Sequence, residues 1–236
     1  MILSVLIPVY NEAGTLAEVM RRVRSVALTK EIIVVDDGST DRSREILKRL
    51  EEDSARGADP LNKLHVFLHP VNQGKGAALK TALSHATGDV VIVQDADLEY
   101  DPTDYPRLLG PIQAGLADVV YGTRFAGGGA HRVLFFWHSM GNHLLTMISN
   151  MLTNLNLSDM EVGYKVFRAE VLKGIELKSQ RFGFEPEITM KLAKRGCRFY
   201  EVPISYHGRT YEEGKKITWK DGVAALYYVI RYRLGD

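Results

Sequence analysis

The stretch VIVQDADLEYDP, Val91–Pro102, decides how this chain is read. It begins as an apolar, β-branched run of the kind buried as a strand. It ends in four acidic residues, Asp95, Asp97, Glu99 and Asp101. Carboxylates that close repel one another and disfavour joint ionisation. A core strand that delivers them to one spot implies a positive counterpart there. Alternation along an extended chain places Asp95 and Asp97 on one side. Two such carboxylates suit a hard divalent cation, Mg²⁺ or Mn²⁺. Glu99 is a third candidate ligand, or a group that supports the first two. An isolated Asp-x-Asp usually marks a solvated turn; its place directly after a buried strand favours the functional reading.

Outward from this stretch, strand and helix alternate. Apolar runs occur at 2–9, 32–35, 64–68, 89–94 and 118–121. Between the first two, Leu16, Val19, Met20, Val23 and Val26 recur at helical spacing. Asp41 is placed to cap a helix carrying Ile46, Leu47 and Leu50. Further helices are expected from about Gly76 to Ala86 and along the stripe Tyr105–Leu116. This order predicts an α/β fold, a mostly parallel sheet flanked by helices. In such sheets ligands bind at the C-terminal ends of the strands. The pattern changes after residue 125. A glycine-rich FAGGGAH precedes an apolar, aromatic segment at 133–157, with Trp137, Met140, Leu144, Ile148, Met151 and Leu155 near one stripe. A helix at 185–195, a strand at 198–206 and a Tyr-rich helix at 218–233 follow. No repeat or linker appears. The expectation is one domain over 1–236, with 1–125 forming one binding part and 126–236 another.

Composition narrows the function. A net charge of +1 over 236 residues gives no basic field for nucleic acid. The single cysteine, Cys197, excludes an internal disulfide and fits a reducing compartment. The N-terminal apolar run is short, lacks a basic leader and is interrupted by Pro8. No stretch reaches the roughly 18 apolar residues of a spanning helix, so work at a membrane would be surface work or would borrow an anchor.

Three further motifs stand at element ends. In VVDDGSTD (34–41), Asp36 and Asp37 precede a turn at Gly38. The turn and a helix cap explain Ser39 to Asp41, but not two carboxylates on top of a core strand. One of them is a candidate acceptor for a nucleotide base or ribose. NQGKGAAL (72–79) lacks the spacing of a phosphate loop and is read instead as close packing under a ligand. HGRTYEEGKK (207–216) sets Arg209, Lys215 and Lys216 among glycines. Alone it is an exposed basic loop; beside an acidic site it becomes a flap that brings cations to phosphates.

Together PVYNE (8–12), VDDGSTD (35–41), QDADLEYDP (94–102) and YGTRF (121–125) resemble, in order, the motifs of family 2 glycosyltransferases of the GT-A fold. The resemblance covers almost the whole chain. The tail VPISYHGRTYEEGKKI (202–217) is similar to the dolichol-phosphate mannose synthase and polyprenyl-phosphate glycosyltransferase branch. It implies that Pro8, Tyr10, Glu12, Val35 and Asp37 line the nucleotide pocket. Asp95, Ala96 and Asp97 would straddle the diphosphate, with Asp97 a metal ligand. Glu99 stands where the branch often has Gln. Arg124 would lie near the transferred sugar or acceptor phosphate, and Arg209 and Lys215 would form the mobile basic loop. The implied reaction is metal-dependent, inverting transfer from GDP-mannose or a UDP-sugar to a polyprenyl or dolichyl monophosphate. Such an acceptor needs no general base, because its second pKa is about 6. Many relatives carry transmembrane helices after the catalytic part, whereas this chain stops at Asp236. A soluble form, a shortened one, or one with a membrane-anchor subunit are the expectations. Residues 133–157 and 219–233 are read as interfacial helices on the cytoplasmic membrane face, or as packing on the sheet. Two other readings stay open, transfer to a soluble or glycan acceptor and a non-catalytic nucleotide-binding module.

Overall fold

The first strand, β1 (Leu3–Val9), is buried along nearly its whole length, as expected of a β-branched run covered on both faces. The computed structural model describes residues 1–57, 59–126, 132–133, 135–181, 183–210, 212–213 and 219–235. After β1 come α1 (Leu16–Ser25), β2 (Lys30–Asp36), α2 (Ser43–Arg56), β3 (Asn62–Leu68), α3 (Lys75–Ser84) and β4 (Val90–Val93). A short 3-10 turn, Pro102–Asp104, leads into α4 (Tyr105–Gln113) and β5 (Val119–Thr123). The second half holds α5 (Phe136–Thr153), β6 (Lys165–Arg168), α6 (Ala169–Leu172), α7 (Phe184–Lys194), β7 (Phe199–Pro203) and α8 (Trp219–Leu234).

These strands form one seven-stranded sheet in the order β3-β2-β1-β4-β6-β5-β7. The pairs β3–β2, β2–β1, β1–β4 and β5–β7 are parallel. The expected mostly parallel sheet is present, with one addition. β6 inserts antiparallel between β4 and β5, so both halves of the chain build the same sheet. Four residues, KVFR, give β6 no readable alternation. Asp41 does not stand at the N-cap of α2; that place is taken by Arg42. Asp41 instead accepts from the Ser43 and Ala13 amides, at 2.9 and 3.0 Å, and ties the loops after β1 and β2.

Helix α5 leaves a row of apolar side chains exposed. Its buried residues are Thr146 and Ser149, while Trp137 is 79% and Met151 76% exposed. The inner face fastens the following loop. Asn150 brackets Leu157, donating to its carbonyl at 2.7 Å and accepting from its amide at 3.1 Å. The Met160 amide donates to Thr146 Oγ1. α8 buries Ala225, Val229 and Tyr232 and exposes Tyr227, Ile230 and Leu234.

Candidate active site

The C-terminal ends of β1, β2, β4 and β5 open into one cleft of about 770 Å³. Pro8, Tyr10, Glu12, Asp37, Asp95, Ala96, Asp97, Glu99, Arg124 and Arg209 all line it. Val35 does not: it pairs with Pro8 in the sheet and is wholly buried. The strand pleat turns its side chain into the core. Lys215 lies outside the described residues.

The acidic stretch departs from the strand geometry expected of it. β4 ends at Val93, so Asp95 and Asp97 do not share a strand face. The chain turns instead, with Leu98 at φ 63°. A left-handed non-glycine residue of this kind costs energy and collects at functional sites. Asp97 Oδ1 accepts from the Glu99 amide at 3.1 Å. Buried Gln94 holds the turn's base. Tyr105 and Tyr164 hydroxyls both donate to its Oε1 at 2.7 Å, and its Nε2 donates to the Asp95 carbonyl at 2.9 Å.

Two basic side chains answer the acidic charge. Arg209 donates to Asp97 Oδ2 at 2.9 Å, to Glu99 Oε1 at 3.3 Å and to Glu12 Oε2 at 3.4 Å. It arrives there because Tyr206 bridges to Tyr100 beyond the end of β7 and the His207 amide donates to the Glu99 carbonyl. Lys75 contacts Asp95 Oδ1 at 2.9 Å and Glu185 Oε1 at 3.0 Å. The three carboxylates read as metal ligands are therefore divided, Asp95 to Lys75 and the other two to Arg209. Among the described residues, no group of three His, Cys, Asp or Glu is arranged to hold a metal unaided. Burial, with Asp95 and Glu99 close by, pushes Asp97 up to about 7 against the opposing charge of Arg209. Burial opposes the charge on Lys75, but Asp95 and Glu185 outweigh it and hold its pKa well above the usual value.

Asp37 is tied into the wall of the cleft. Its carboxylate accepts from the Gln73 amide at 3.0 Å and the Gly74 amide at 2.6 Å, and pairs with His69 Nδ1 at 2.7 Å. It thereby builds the cleft wall that starts α3. At Gly74 (φ 101°) an added Cβ would lie 2.3 Å from the Gln180 carbonyl oxygen. The close packing expected of NQGKGAAL is present, but against residues 179–181. Lys75 within that motif carries no signal of its own in the sequence, because the spacing of a phosphate loop is absent.

Arg124 is clamped. Its Nε and Nη2 donate to the two Asp159 oxygens at 2.6 and 2.7 Å, and Nη2 also reaches Asn142 Oδ1 at 3.2 Å. The guanidinium lies 5.2 Å from the Tyr206 ring centroid. Asp159 is fully buried, and Glu201 accepts from the Ser158 and Asp159 amides. Glu161, two residues on, also lines the cleft. Asp159, Glu161 and Glu185 had no motif to reveal them; an acidic pair between an apolar helix and a short strand was the available signal.

The chain is similar to several known proteins. A model described as glycosyl transferase family 2 matches residues 4–175. An undecaprenyl-phosphate mannosyltransferase of Micrococcus luteus is 30% identical over 254 residues, covering 98% of each chain. The glycosyltransferase AglJ of Haloferax volcanii is 33% identical over 209 residues, 87% of this chain and 63% of its own. An undecaprenyl-phosphate 4-deoxy-4-formamido-L-arabinose transferase of Edwardsiella ictaluri is 31% identical, over 90% of this chain and 62% of its own. Glucosyl-3-phosphoglycerate synthase of Mycobacterium tuberculosis, crystallised with Mn²⁺, uridine diphosphate and glucosyl-3-phosphoglycerate, shares the fold. Its TM-score is 0.74 at 19% identity, covering 99% of this chain and 80% of that one. With its GT-A sheet, its acidic turn after β4 and a family match across most of its length, the chain belongs to glycosyl transferase family 2.

Proposed function

We propose that this enzyme transfers a sugar from a nucleoside diphosphate sugar to a polyprenyl monophosphate, with inversion at the anomeric carbon. One observation carries the reading. The acidic turn, Arg124 and the start of α5 line a single cleft, and α5 turns an apolar face outward. Donor charge, acceptor charge and lipid each have a matching surface along one path.

Pro8, Tyr10 and Asp37 border the nucleotide end. The donor set at the turn fits a divalent cation, Mg²⁺ or Mn²⁺: its oxygens are hard carboxylates, and Arg209 already bridges two of them, with Glu12, as a stand-in cation. Asp97, with Asp95 or Glu99, would hold the ion, which when bound would neutralise charge on the departing diphosphate. Lys75 and Arg209 add positive charge at the same end. Arg124, fixed by Asp159, would hold the acceptor phosphate so that a second anion can approach. A phosphate dianion attacks without a general base. Arg209 and Lys215 would close over the phosphates and exclude water, which limits donor hydrolysis.

The names of the relatives support a lipid phosphate acceptor. Among the described residues no helix is long and apolar enough to cross a membrane. The exposed faces of α5 and α8, with Arg231 and Arg233 in the last turn of α8, favour peripheral attachment to an anionic surface on the cytoplasmic side. A membrane-anchor subunit would strengthen it.

The test is a matrix of donors and acceptors. GDP-mannose, UDP-glucose and UDP-N-acetylglucosamine are each combined with undecaprenyl phosphate, dolichyl phosphate and soluble sugars, with Mg²⁺, Mn²⁺ or chelator. Transfer to a lipid phosphate that stops with chelator is expected. Preference for a soluble acceptor would overturn the acceptor assignment, and no turnover of any donor would favour a non-catalytic module.

A further inference from the structure

Glu161 is a cleft-lining carboxylate that belongs to neither the acidic turn nor the Arg124 clamp. Its loop is fixed from both sides. Upstream, buried Asp159 holds Arg124. Downstream, the Gly163 amide donates to the Tyr100 hydroxyl at 2.9 Å. Gly163 is pressed against Asp95, so that an added Cβ would lie 2.5 Å from Asp95 Oδ2. Glu161 therefore lies on the loop that runs from the Arg124 clamp to the Asp95 contact, and it lines the cleft. Arg124 and Asp95 are the groups that face the acceptor phosphate and the donor diphosphate.

Its Oε1 is buried and has no hydrogen-bond partner among the described residues. The basic groups around it are engaged elsewhere. Lys165 Nζ donates to the Met160 and Val162 carbonyls, Lys75 holds Asp95 and Glu185, and Arg124 holds Asp159. A buried acceptor left unsatisfied is costly, and such a group in a cleft wall points to a missing ligand donor. The ligand groups on either side are anions, which a carboxylate repels. What lies between two such anions in a glycosyl transfer is the neutral sugar, and its hydroxyls donate hydrogen bonds.

We propose that Glu161 reads the transferred sugar, its carboxylate accepting a hydrogen bond from a hydroxyl of the hexose. This makes it a specificity-determining residue for a donor that carries that hydroxyl, and it rests on the nucleotide-sugar reading above. Burial and the negative charge of Glu185 raise Glu161 to about 7, against Lys165 and Arg124. The ionised form is thus short of donors before the sugar arrives.

The experiment is calorimetric titration of the wild type, Glu161→Gln and Glu161→Ala in Mn²⁺. The probes are GDP with GDP-mannose, UDP with UDP-glucose, and single-deoxy versions of whichever sugar the wild type binds. Glu161→Ala is expected to weaken the nucleotide sugar about 10- to 100-fold, the size of a lost hydrogen bond to a charged group. The matching free diphosphate should stay within about twofold. One deoxy sugar should bind the wild type as weakly as the parent sugar binds Glu161→Ala, and Glu161→Ala should not distinguish the two. Equal weakening of sugar nucleotide and free diphosphate would overturn the proposal, because the effect would be general electrostatics. So would unchanged sugar-nucleotide binding with loss of transfer to a hydroxyl acceptor, which would make Glu161 a base. A wild type that binds free diphosphates but no sugar nucleotide would remove the donor reading and this proposal with it.

Discussion

Glu161 imposes a stability cost that depends on pH. Burial, and then the negative Glu185 and Asp159 set against Lys165 and Arg124, raise its pKa from 4.5 to about 7. The folded chain therefore keeps a proton that the unfolded chain has lost. Stability falls as pH rises through that window and the cost is fully present above it. Glu161→Gln should melt at a higher temperature than the parent at pH 8, by a stability gain on the order of 1–3 kcal/mol. At pH 4 the two should melt together. Asp97 titrates near the same pH, but it is common to both proteins and cancels in the difference. An equal shift at both pH values would show that packing and not charge explains it. The residues around the cleft divide by legibility. Arg209 and Arg124 were legible because each sits in an ordered motif. Lys75, Asp159 and Glu185 were not, because their roles arise where distant segments meet and leave no periodic trace. Val35 was misassigned because a motif position does not say which way a pleated strand turns its side chain.

At the scale of elements, helix α5 makes the sharpest prediction. Its stripe was read both as core packing and as an interfacial face, and the structure divides it. Ile148 and Leu155 pack against the core, while Trp137, Met140, Leu144 and Met151 are exposed. Leu145, Ile148 and Leu152 supply the inward apolar packing beside buried Thr146 and Ser149, and the exposed residues are the ones open to an apolar medium. Trp137→Asp with Met151→Asp should leave far-UV circular dichroism and the melting temperature unchanged, because both side chains are already in solvent. The pair should abolish flotation of the chain with phosphatidylglycerol vesicles. Undiminished flotation would remove α5 from the membrane contact. Most strands of the first half were legible because continuous apolar runs mark them. β6 was not, since an antiparallel insertion four residues long is chosen by its neighbours in the sheet rather than by its own pattern.

At the scale of the molecule, one sheet drawn from both halves gathers opposite charges around one cleft. Glu185 of the second half meets Lys75 of the first, and Lys75 in turn holds Asp95. The order of motifs along the chain was enough to read the fold; the pairing across the cleft required the structure. The acidic turn as a cation-dependent diphosphate site is tested most directly by calorimetric titration of GDP and UDP into the wild type and Asp97→Asn, with and without Mn²⁺. The wild type should bind one diphosphate at least about tenfold more tightly with Mn²⁺, a difference of about 1.4 kcal/mol, and Asp97→Asn should lose that gain while keeping its fold. A wild-type affinity indifferent to Mn²⁺, or a gain that survives Asp97→Asn, would contradict it.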